Sequence, residues 1–272
     1  MMSPSILKKK LETTSNLSVI DIFEKAARKA GTMLISDFGK IENFKIKAKE
    51  AGDFVTSVDI KVEKILLDTL QQFYPNASYI TEESDEIKGD EETIIIDPID
   101  GTTNFIHGIP FVGIVIGRAF KGEITDGIIF NPILDEFYSA TKGGGAWCNN
   151  KKIKVSKREK IENCLIGNSI PHANRDYQNY LSEIDNIAKN CSGFRSTGAA
   201  AIDLAFVASG KTDAFWQRNL KIWDISSGVL LVKEAGGKIT QPNGDKWLIE
   251  NSDILASNNH IHNQVLEKLN TK

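Results

Sequence analysis

The chain has 272 residues, of which 41% are hydrophobic and 25% charged, and its formal net charge is −3. This length allows one large domain or two tightly joined halves, and the charge gives no general affinity for nucleic acid. Three widely spaced cysteines without a Cys-x-x-Cys pair disfavour both a disulfide framework and a zinc site: Cys148, Cys164 and Cys191.

The N-terminal segment is polar and contains Lys8, Lys9 and Lys10. It lacks the apolar core of a signal peptide, and no apolar run approaches the ~20 residues of a membrane span. We therefore expect a cytoplasmic protein without membrane contact, with a loosely ordered tail over residues 1–15 and one domain over residues 16–272. A change of composition near residues 143–160 predicts two halves within this domain, at about 16–145 and 146–272.

Hydrophobic periodicity predicts the secondary structure. A first helix would run from Asn16 to Phe38 and a second from Ser57 to a stop at Pro75. The following strands are predicted next: Ser78–Thr81, Thr93–Ile96, Phe111–Phe120, Glu123–Asn131, Glu136–Thr141 and Cys164–Ser169. The remainder would comprise helices Tyr177–Lys189, Gly198–Ser209, Ile225–Ala235 and His262–Leu269, and strands Ala214–Trp216 and Ile254–Ser257. This alternation, with its antiparallel block, predicts a layered α/β to α+β fold.

Residues 149–160 form a densely basic segment, with side chains Lys151, Lys152, Lys154, Lys157, Arg158 and Lys160. One interpretation is an anion-binding patch. The other is a solvent-exposed edge strand whose lysines prevent edge-to-edge pairing. Because aromatic residues do not alternate with the lysines, as they would in a nucleic-acid site, we favour the edge strand and expect no nucleic-acid partner.

The segment from Thr93 to Phe105 has the clearest chemical content. A β-branched apolar run ends in Asp97 and Asp100 and then turns at Gly101 into two threonines. The carboxyl end of a buried strand is a common position for a functional site. Two crowded carboxylates remain ionised at low cost only near cations, and hard oxygen ligands without nearby cysteine or histidine indicate magnesium.

Further carboxylates stand where other apolar elements stop: Asp53, Asp59, Glu82, Glu83 and Asp224. Each alone has an ordinary explanation, such as a cap for the helix that would open at Ile225. Together they supply the three to five carboxylates that a pair of magnesium ions needs. The Ile99 carbonyl would point to the same place if Pro98 fixes the bend, and Thr102 would orient a water.

A covalent aspartyl mechanism of the haloacid-dehalogenase type is the competing interpretation. It requires Asp-x-Asp-Gly-Thr after such a strand, whereas Asp97 and Asp100 are three positions apart. In an extended segment, residues two apart share a face and residues three apart do not. The spacing therefore disfavours a covalent nucleophile.

These motifs resemble those of the inositol monophosphatase family. The segment Asp97–Phe105 is similar to the first signature of the family, and Trp223–Gly228 with Glu234–Gly237 to the second. The segments Gly52–Asp59 and Thr81–Ser84 also match, in the order of the family. The resemblance covers about residues 18–268, and Arg195–Ala201 is similar to bacterial members.

The resemblance implies an α-β-α-β-α sandwich shared with fructose-1,6-bisphosphatase, a homodimer, two or three Mg²⁺ ions and sensitivity to lithium. By resemblance, the metal ligands would be Glu82, Asp97, the Ile99 carbonyl, Asp100 and Asp224. The catalytic residues would be Glu82, Asp97, Thr102, which positions the attacking water, and Asp59, which helps to hold a weaker magnesium. Substrate contacts would come from Ile99, Asp100, Gly101, Thr102, Gly198, Ala199, Ala200, Gln217 and Asp224. Either Lys49 or Lys47 would correspond to the lysine that precedes Asp53.

One departure concerns the substrate. Position 217 usually carries a glutamate that binds sugar hydroxyls, and this chain has Gln217. Glutamine still donates and accepts hydrogen bonds but removes a negative charge beside the substrate. The phosphoryl chemistry is unaffected, and the preference for inositol is left open.

The sequence thus predicts a magnesium-dependent phosphoric monoester hydrolase. Its reaction would be hydrolysis of myo-inositol 1-phosphate by direct attack of a metal-activated water. Activity on 3′-phosphoadenosine 5′-phosphate or on fructose 1,6-bisphosphate is the alternative within this class. A regulatory protein that binds transcription or ribosome-assembly partners is the alternative from another class.

Overall fold

The computed structural model describes residues 17–40, 47–50, 53–55, 57–169 and 177–271. The predicted tail, residues 1–15, and Asn16 lie outside the described residues. The helices are α1 Val19–Asp37, α2 Ser57–Leu70, α3 Thr102–His107, α4 Tyr177–Ala188, α5 Ala200–Ala208, α6 Ile222–Glu234 and α7 His262–Leu269. None of these described helices is long and apolar enough to cross a membrane.

The strands form three sheets. Strands β1 Lys47–Glu50 and β2 Asp53–Val55 pair as an antiparallel hairpin. A seven-stranded sheet contains β3 Ser78–Thr81, β4 Glu92–Asp100, β5 Gly113–Phe120, β6 Glu123–Asn131, β7 Glu136–Thr141, β8 Gly145–Cys148 and β9 Lys151–Ile153, in chain order. A five-stranded sheet contains β10 Leu165–Asn168, β11 Gly193–Arg195, β12 Ala214–Gln217, β13 Lys238–Thr240 and β14 Ile254–Ser257, in the order β11-β10-β12-β14-β13.

The structure has five layers and three apolar cores, and the central core surrounds the middle helix layer. Helices α1 and α2 cover one face of the seven-stranded sheet, where Phe23 and Leu66 pack with Ile96. Helices α5 and α6 fill the space between the two large sheets. Helices α4 and α7 cover the outer face of the five-stranded sheet around Trp216 and Val265. The predicted α-β-α-β-α architecture is therefore confirmed.

The middle layer is tight because small residues face each other there. A Cβ on Gly228 of α6 would lie 2.6 Å from Cβ of Leu204 on α5. A Cβ on Gly127 of β6 would lie 2.9 Å from Cα of Ser227. Ser227 also donates a hydrogen bond of 2.9 Å to the carbonyl of Ile116. These contacts fix α6 against the sheet.

Several helix and strand ends lie where the sequence predicted them, and others differ for local reasons. Strand β3 and helix α7 have the predicted ends. Helix α1 begins at Val19 because Ser18 caps it: the Ser18 hydroxyl accepts from the Asp21 amide, and the Asp21 carboxylate accepts from the Ser18 amide. The prediction that a helix opens at Ile225 was wrong, since α6 begins at Ile222 and Asp224 lies within its first turn.

The basic segment 149–160 contributes β9 at the edge of the seven-stranded sheet, as the edge-strand interpretation predicted. The sequence analysis missed the short strands β1, β2, β8, β11 and β13. Strands β8 and β9 extend the first large sheet to Ile153, and the second begins at Leu165. The division into halves near residue 145 stays a prediction.

His262 provides a test of the outer layer. Its imidazole is fully buried, with Nδ1 2.6 Å from the Ser257 hydroxyl and Nε2 3.0 Å from the Thr240 hydroxyl. Burial, with a contribution from the charge of Lys238, lowers the pKa of His262 from 6.5 to about 4. The folded protein therefore holds this ring neutral between these two pH values, while the unfolded chain protonates it.

We expect the free energy of unfolding to fall as the pH drops from 6.5 to 4, with His262 contributing up to about 3 kcal/mol of the loss. Urea unfolding at several pH values measures this slope. His262→Gln keeps one donor and one acceptor and should flatten the slope, whereas the exposed His260→Gln should leave it unchanged. An equal slope in wild type and His262→Gln would contradict the assignment.

Candidate active site

Strand β4 delivers the central carboxylates to the interior. Asp97 is 1% exposed and Asp100 is 8% exposed. On one side, β4 runs parallel to β3 with Ile96 opposite Thr81, so Glu82 follows directly beside Asp97. On the other side, Asp97 pairs with Val115 and Asp100 with Gly113 of β5. Three residues along β4 therefore span the same length as two residues along β5, so β4 contains a β-bulge between Asp97 and Asp100.

The bulge changes the orientation that strand alternation predicts. Val115 and Gly113 are two apart and share one face of β5. Their partners Asp97 and Asp100 consequently share that face, although they are three apart. The alternation argument that we applied to an extended segment therefore does not hold at this position. Both carboxylates face the middle layer, where Val115 packs with α5 and α6.

The turn after β4 contacts the first turn of α2 through Thr102 and Asp59. Gly101 has φ +89°, and a Cβ there would lie 2.8 Å from the Phe111 carbonyl oxygen, so glycine is required. The Thr102 hydroxyl lies 2.9 Å from Oδ1 of Asp59, to which it donates, and 3.1 Å from the Ile99 carbonyl. Asp59 stands in the first turn of α2 and is fully buried. The structure thus pairs two predicted catalytic residues.

Asp100 joins the turn to the second half of the chain. Its carboxylate accepts from the amides of Ala200, Ala201 and Ile202 at 3.1, 2.9 and 3.4 Å. It therefore caps α5, whose own N-cap residue Ala199 has no capping side chain. Burial raises the pKa of Asp100 to about 7, and these amide bonds oppose that rise.

Asn104 is a positioning residue that the sequence analysis missed. Its Nδ2 donates to the carbonyls of Phe111 and Thr197, both at 2.8 Å. Its side chain also contacts Gly198, where a Cβ would lie 3.2 Å from Oδ1 of Asn104. The predicted substrate residues of the two turns, Ile99 to Thr102 and Gly198 to Ala200, are held together by this amide. Its place in the first signature motif was the available signal.

Asp203 supports the same turn and was also missed. It is fully buried in α5, and its Oδ2 accepts from the Thr197 hydroxyl at 2.8 Å. The same hydroxyl accepts from the amide of Ala199 at 3.2 Å. Burial raises the pKa of Asp203 to about 7. The helix around Asp203 is apolar on all sides, which indicates a buried helix, but the local sequence does not indicate which group Asp203 contacts.

Helix α6 brings Asp224 to the other carboxylates. Asp224 is its third residue and accepts from the amide of Lys221 at 2.7 Å, so one of its oxygens closes the helix N-terminus. The packing of Ser226 and Ser227 against Gly117 and Gly127 of the sheet fixes the depth of this turn. The Ser226–Ser227 pair therefore serves helix packing.

The carboxylates act on one another through space. The pKa of Asp97 lies well above its usual range, chiefly because the side chain is buried and then because of the negative charges of Glu82, Asp100 and Asp224. A hydrogen bond with the Glu82 carboxyl group adds to this rise. The structure thus brings together four of the five predicted metal ligands as side chains, and the fifth, Ile99, is the residue between Pro98 and Asp100.

The donor set fits a hard cation. It contains carboxylate and carbonyl oxygens and carries an excess of negative charge. Within the described ranges, no group of three or more histidine, cysteine, aspartate or glutamate side chains lies in an arrangement that could hold a metal ion. Asp97 accepts a hydrogen bond from the Ile99 amide at 2.9 Å, and Asp100 and Asp224 accept from helix termini. These oxygens have further lone pairs for a cation.

Gln217 ends β12 and is 6% exposed. Its Oε1 is buried and has no hydrogen-bond partner among the described residues. The place of Gln217 in the substrate site stays a prediction. The side chains of Asp53, Lys47 and Lys49 lie outside the described part of the chain.

Comparison with known proteins identifies the family. The model of the inositol monophosphatase family matches residues 15–272. The chain is 38% identical over 253 residues to an inositol-1-monophosphatase of Mesorhizobium japonicum, covering 92% of this chain and 95% of the relative. It is 36% identical over 249 residues to a Nus factor SuhB of Pseudomonas aeruginosa, covering 88% and 91%.

A solved structure supports the same relationship. The crystal structure of the extragenic suppressor protein suhB from Bartonella henselae matches with a TM-score of 0.90 at 40% identity, over 93% of this chain and 98% of that chain. The layered sandwich and the order of the motifs agree with the resemblance found in the sequence. The chain belongs to the inositol monophosphatase family and is a phosphoric monoester hydrolase.

Proposed function

We propose that this phosphatase hydrolyses a small phosphate monoester in a Mg²⁺-dependent reaction, with myo-inositol 1-phosphate as the first candidate substrate. The observation that carries the proposal is the burial of Asp97 among three other carboxylates. Divalent cations are the partners that allow such a group to remain ionised in the interior. The proposal includes two or three ions, a homodimer, lithium inhibition and a cytoplasmic location, all implied by the family resemblance.

The residues proposed to hold the ions are Glu82, Asp97, the Ile99 carbonyl, Asp100 and Asp224. Bound Mg²⁺ would neutralise charge on the phosphate and on the leaving oxygen and would lower the pKa of the attacking water. Asp97 and Asp100 face the same side of β4 because of the bulge, so they would contribute to one centre. Asp224 would approach it from the middle layer.

The Thr102–Asp59 pair suits proton transfer. The Thr102 hydroxyl proton is directed at Oδ1 of Asp59, which leaves a lone pair on Oγ1 to accept a proton from the attacking water. Asp59 is fully buried and holds the hydroxyl in this orientation. We propose that the water proton moves to Thr102 Oγ1 while the hydroxyl proton moves to Asp59.

The second half of the chain would select the leaving group. The turn at Gly198 to Ala200 lies against Gly101, where a Cβ would be 3.1 Å from Cβ of Ala199. This close approach leaves no room for a side chain at position 101. By the family resemblance, Gln217 would contact a substrate hydroxyl.

Asp97→Asn tests, by thermal stability rather than by activity, whether the buried charge of Asp97 destabilises the cation-free protein. Asparagine keeps an acceptor for the Ile99 amide but carries no charge. The raised pKa of Asp97 means that its ionisation destabilises the cation-free fold increasingly as the pH rises above about 4, the usual pKa of an unfolded aspartate. We therefore expect cation-free Asp97→Asn to have a higher Tm than wild type at pH 8, and the difference to shrink towards pH 4.

Calorimetry with and without Mg²⁺ completes this test. Mg²⁺ should raise the Tm of wild type strongly and that of Asp97→Asn much less. Asp68→Asn, an exposed partner of Lys64, is the matched control and should behave as wild type. An unchanged Mg²⁺ response in Asp97→Asn, or turnover near the wild-type rate, would refute the ligand assignment.

Thr102→Val tests the proton-transfer proposal. It should lower kcat by roughly 10²- to 10⁴-fold because no group then receives the water proton. The Mg²⁺-induced rise in Tm should persist, since Thr102 is not proposed as a ligand. Thr102→Ser restores the hydroxyl and should recover most of kcat. If Thr102→Val and Thr102→Ser lose activity equally, the role of the hydroxyl is wrong.

A substrate panel tests the leaving-group assignment. We expect kcat/KM for myo-inositol 1-phosphate to exceed the values for 3′-phosphoadenosine 5′-phosphate and fructose 1,6-bisphosphate, each at saturating Mg²⁺. Comparable or higher values for either alternative would replace the inositol assignment. Omission of Mg²⁺ should abolish turnover of all three substrates.

A regulatory role is the second candidate function. It is favoured by the likeness to proteins named Nus factor SuhB and extragenic suppressor protein suhB. If this role is separate from catalysis, a cell that carries inactive Asp97→Asn protein would keep the phenotype of wild type. Loss of the phenotype together with phosphatase activity would exclude the separate role.

A further inference from the structure

Glu63 is a buried carboxylate to which the proposed reaction gives no role. It lies in the middle of α2 and is 1% exposed. Its Oε2 accepts a hydrogen bond of 2.9 Å from the Glu83 amide, and its Oε1 accepts from the Ser84 hydroxyl. A buried carboxylate is costly to the fold unless it is hydrogen-bonded. Both of these donors come from the two residues that directly follow Glu82.

The start of this segment faces two layers of the structure. Glu82 follows Thr81, the last residue of β3, and its side chain forms a hydrogen bond with Asp97. Asp97 faces the middle layer, whereas α2 covers the opposite face of the seven-stranded sheet. The carboxyl group of Glu82 is therefore directed to one side, and the amide of the next residue, Glu83, is directed to Glu63 on the other side.

One face of α2 contacts the segments that follow two neighbouring strands. Asp59 and Glu63 are four residues apart, so they lie on the same face of the helix, one turn from each other. Strands β3 and β4 are parallel neighbours, so their carboxyl ends lie at the same edge of the sheet. Asp59 accepts from Thr102 after β4, and Glu63 accepts from Glu83 and Ser84 after β3.

The rest of the loop after Glu82 is exposed. Its base is closed by two backbone hydrogen bonds of 2.8 and 2.9 Å between Tyr79 and Ile87. Residues 84–86 lie at the surface, so packing does little to fix them. Glu63 therefore gives this loop a buried contact next to Glu82.

We propose that Glu63 is a positioning residue that holds Glu82, through the Glu83 amide, in the orientation that binds Mg²⁺. This inference rests on the proposed function, in which Glu82 is a ligand of the ions. Both Glu63 oxygens are bound to the loop, so Glu63 acts through Glu82 and not as a ligand. A ligand that is already oriented loses less freedom when the cation binds. Loss of Glu63 should therefore weaken the affinity for Mg²⁺.

Isothermal titration calorimetry of full-length, cation-free protein with MgCl₂ measures this effect without catalysis. Glu63→Met keeps an unbranched side chain but removes both acceptors, and should weaken the affinity for Mg²⁺ by roughly 10- to 100-fold. Glu63→Gln keeps an acceptor for the Glu83 amide and should recover most of the affinity. Ser84→Ala, at an exposed position, tests the same contact without altering the core and should weaken the affinity less than Glu63→Met.

Thr69→Val is the matched control on α2. Thr69 is also buried, but its hydroxyl donates to the Ile65 carbonyl, so the variant should keep the wild-type affinity for Mg²⁺ even where its Tm falls. Glu82→Gln retains the other proposed ligands, and adding Glu63→Met to it should weaken the affinity no further.

Wild-type affinity for Mg²⁺ in Glu63→Met would overturn the positioning role. So would an equal loss of affinity when Glu63→Met is added to Glu82→Gln, because Glu63 would then act independently of Glu82. Failure of the wild-type protein to bind Mg²⁺ would instead refute the proposed function itself.

Discussion

Repulsion between buried Asp97 and the neighbouring carboxylates is the constraint on which the rest of this structure depends. Asp97 and Asp100 are buried, Glu82 and Asp224 are partly buried, and the pKa of Asp97 is raised by its burial and by the charges of the other three. The protein limits this cost with backbone donors. Asp100 accepts from the N-terminus of α5 and Asp224 from the N-terminus of α6, so the positive ends of two helices face the site. These bonds fix the orientation of Asp100 and Asp224.

This arrangement demands close packing in the middle layer, because both helix termini must reach the end of β4. Gly228 allows α6 to approach α5 at Leu204, and Gly127 allows it to approach the sheet at Ser227. A larger residue at either position would move α6 and with it Asp224. Residues remote from the chemistry therefore determine the distance between Asp224 and Asp97. Overpacking at such contacts typically costs about 1–3 kcal/mol of stability.

Local sequence patterns predicted most of the helices and strands and the strand that ends at Asp97, because periodicity and turn residues are local properties. The α-β-α-β-α order of the layers was predicted only by the family resemblance. The bulge between Asp97 and Asp100 was not predictable, since it is defined by pairing with β5. The support that Asn104 and Asp203 give to the Gly198 turn was missed because it joins residues distant in sequence or buried only by tertiary packing. The start of α6 was misplaced by three residues, because Lys221 is an uncommon N-cap residue and gives no local signal.

The two large sheets carry different groups of the proposed reaction. The carboxylates of β4 and the Thr102–Asp59 pair belong to the seven-stranded sheet and its covering helix, while Gln217 belongs to the five-stranded sheet. The hydrogen bonds that orient Asp97, Asp100 and Thr102 do not involve Gln217. A substitution at position 217 would therefore alter contacts with the leaving group without disturbing the groups proposed to act on the phosphate. If Gln217 contacts the leaving group as proposed, this separation would let one arrangement of carboxylates serve different phosphate esters, with the choice of substrate made by the second sheet.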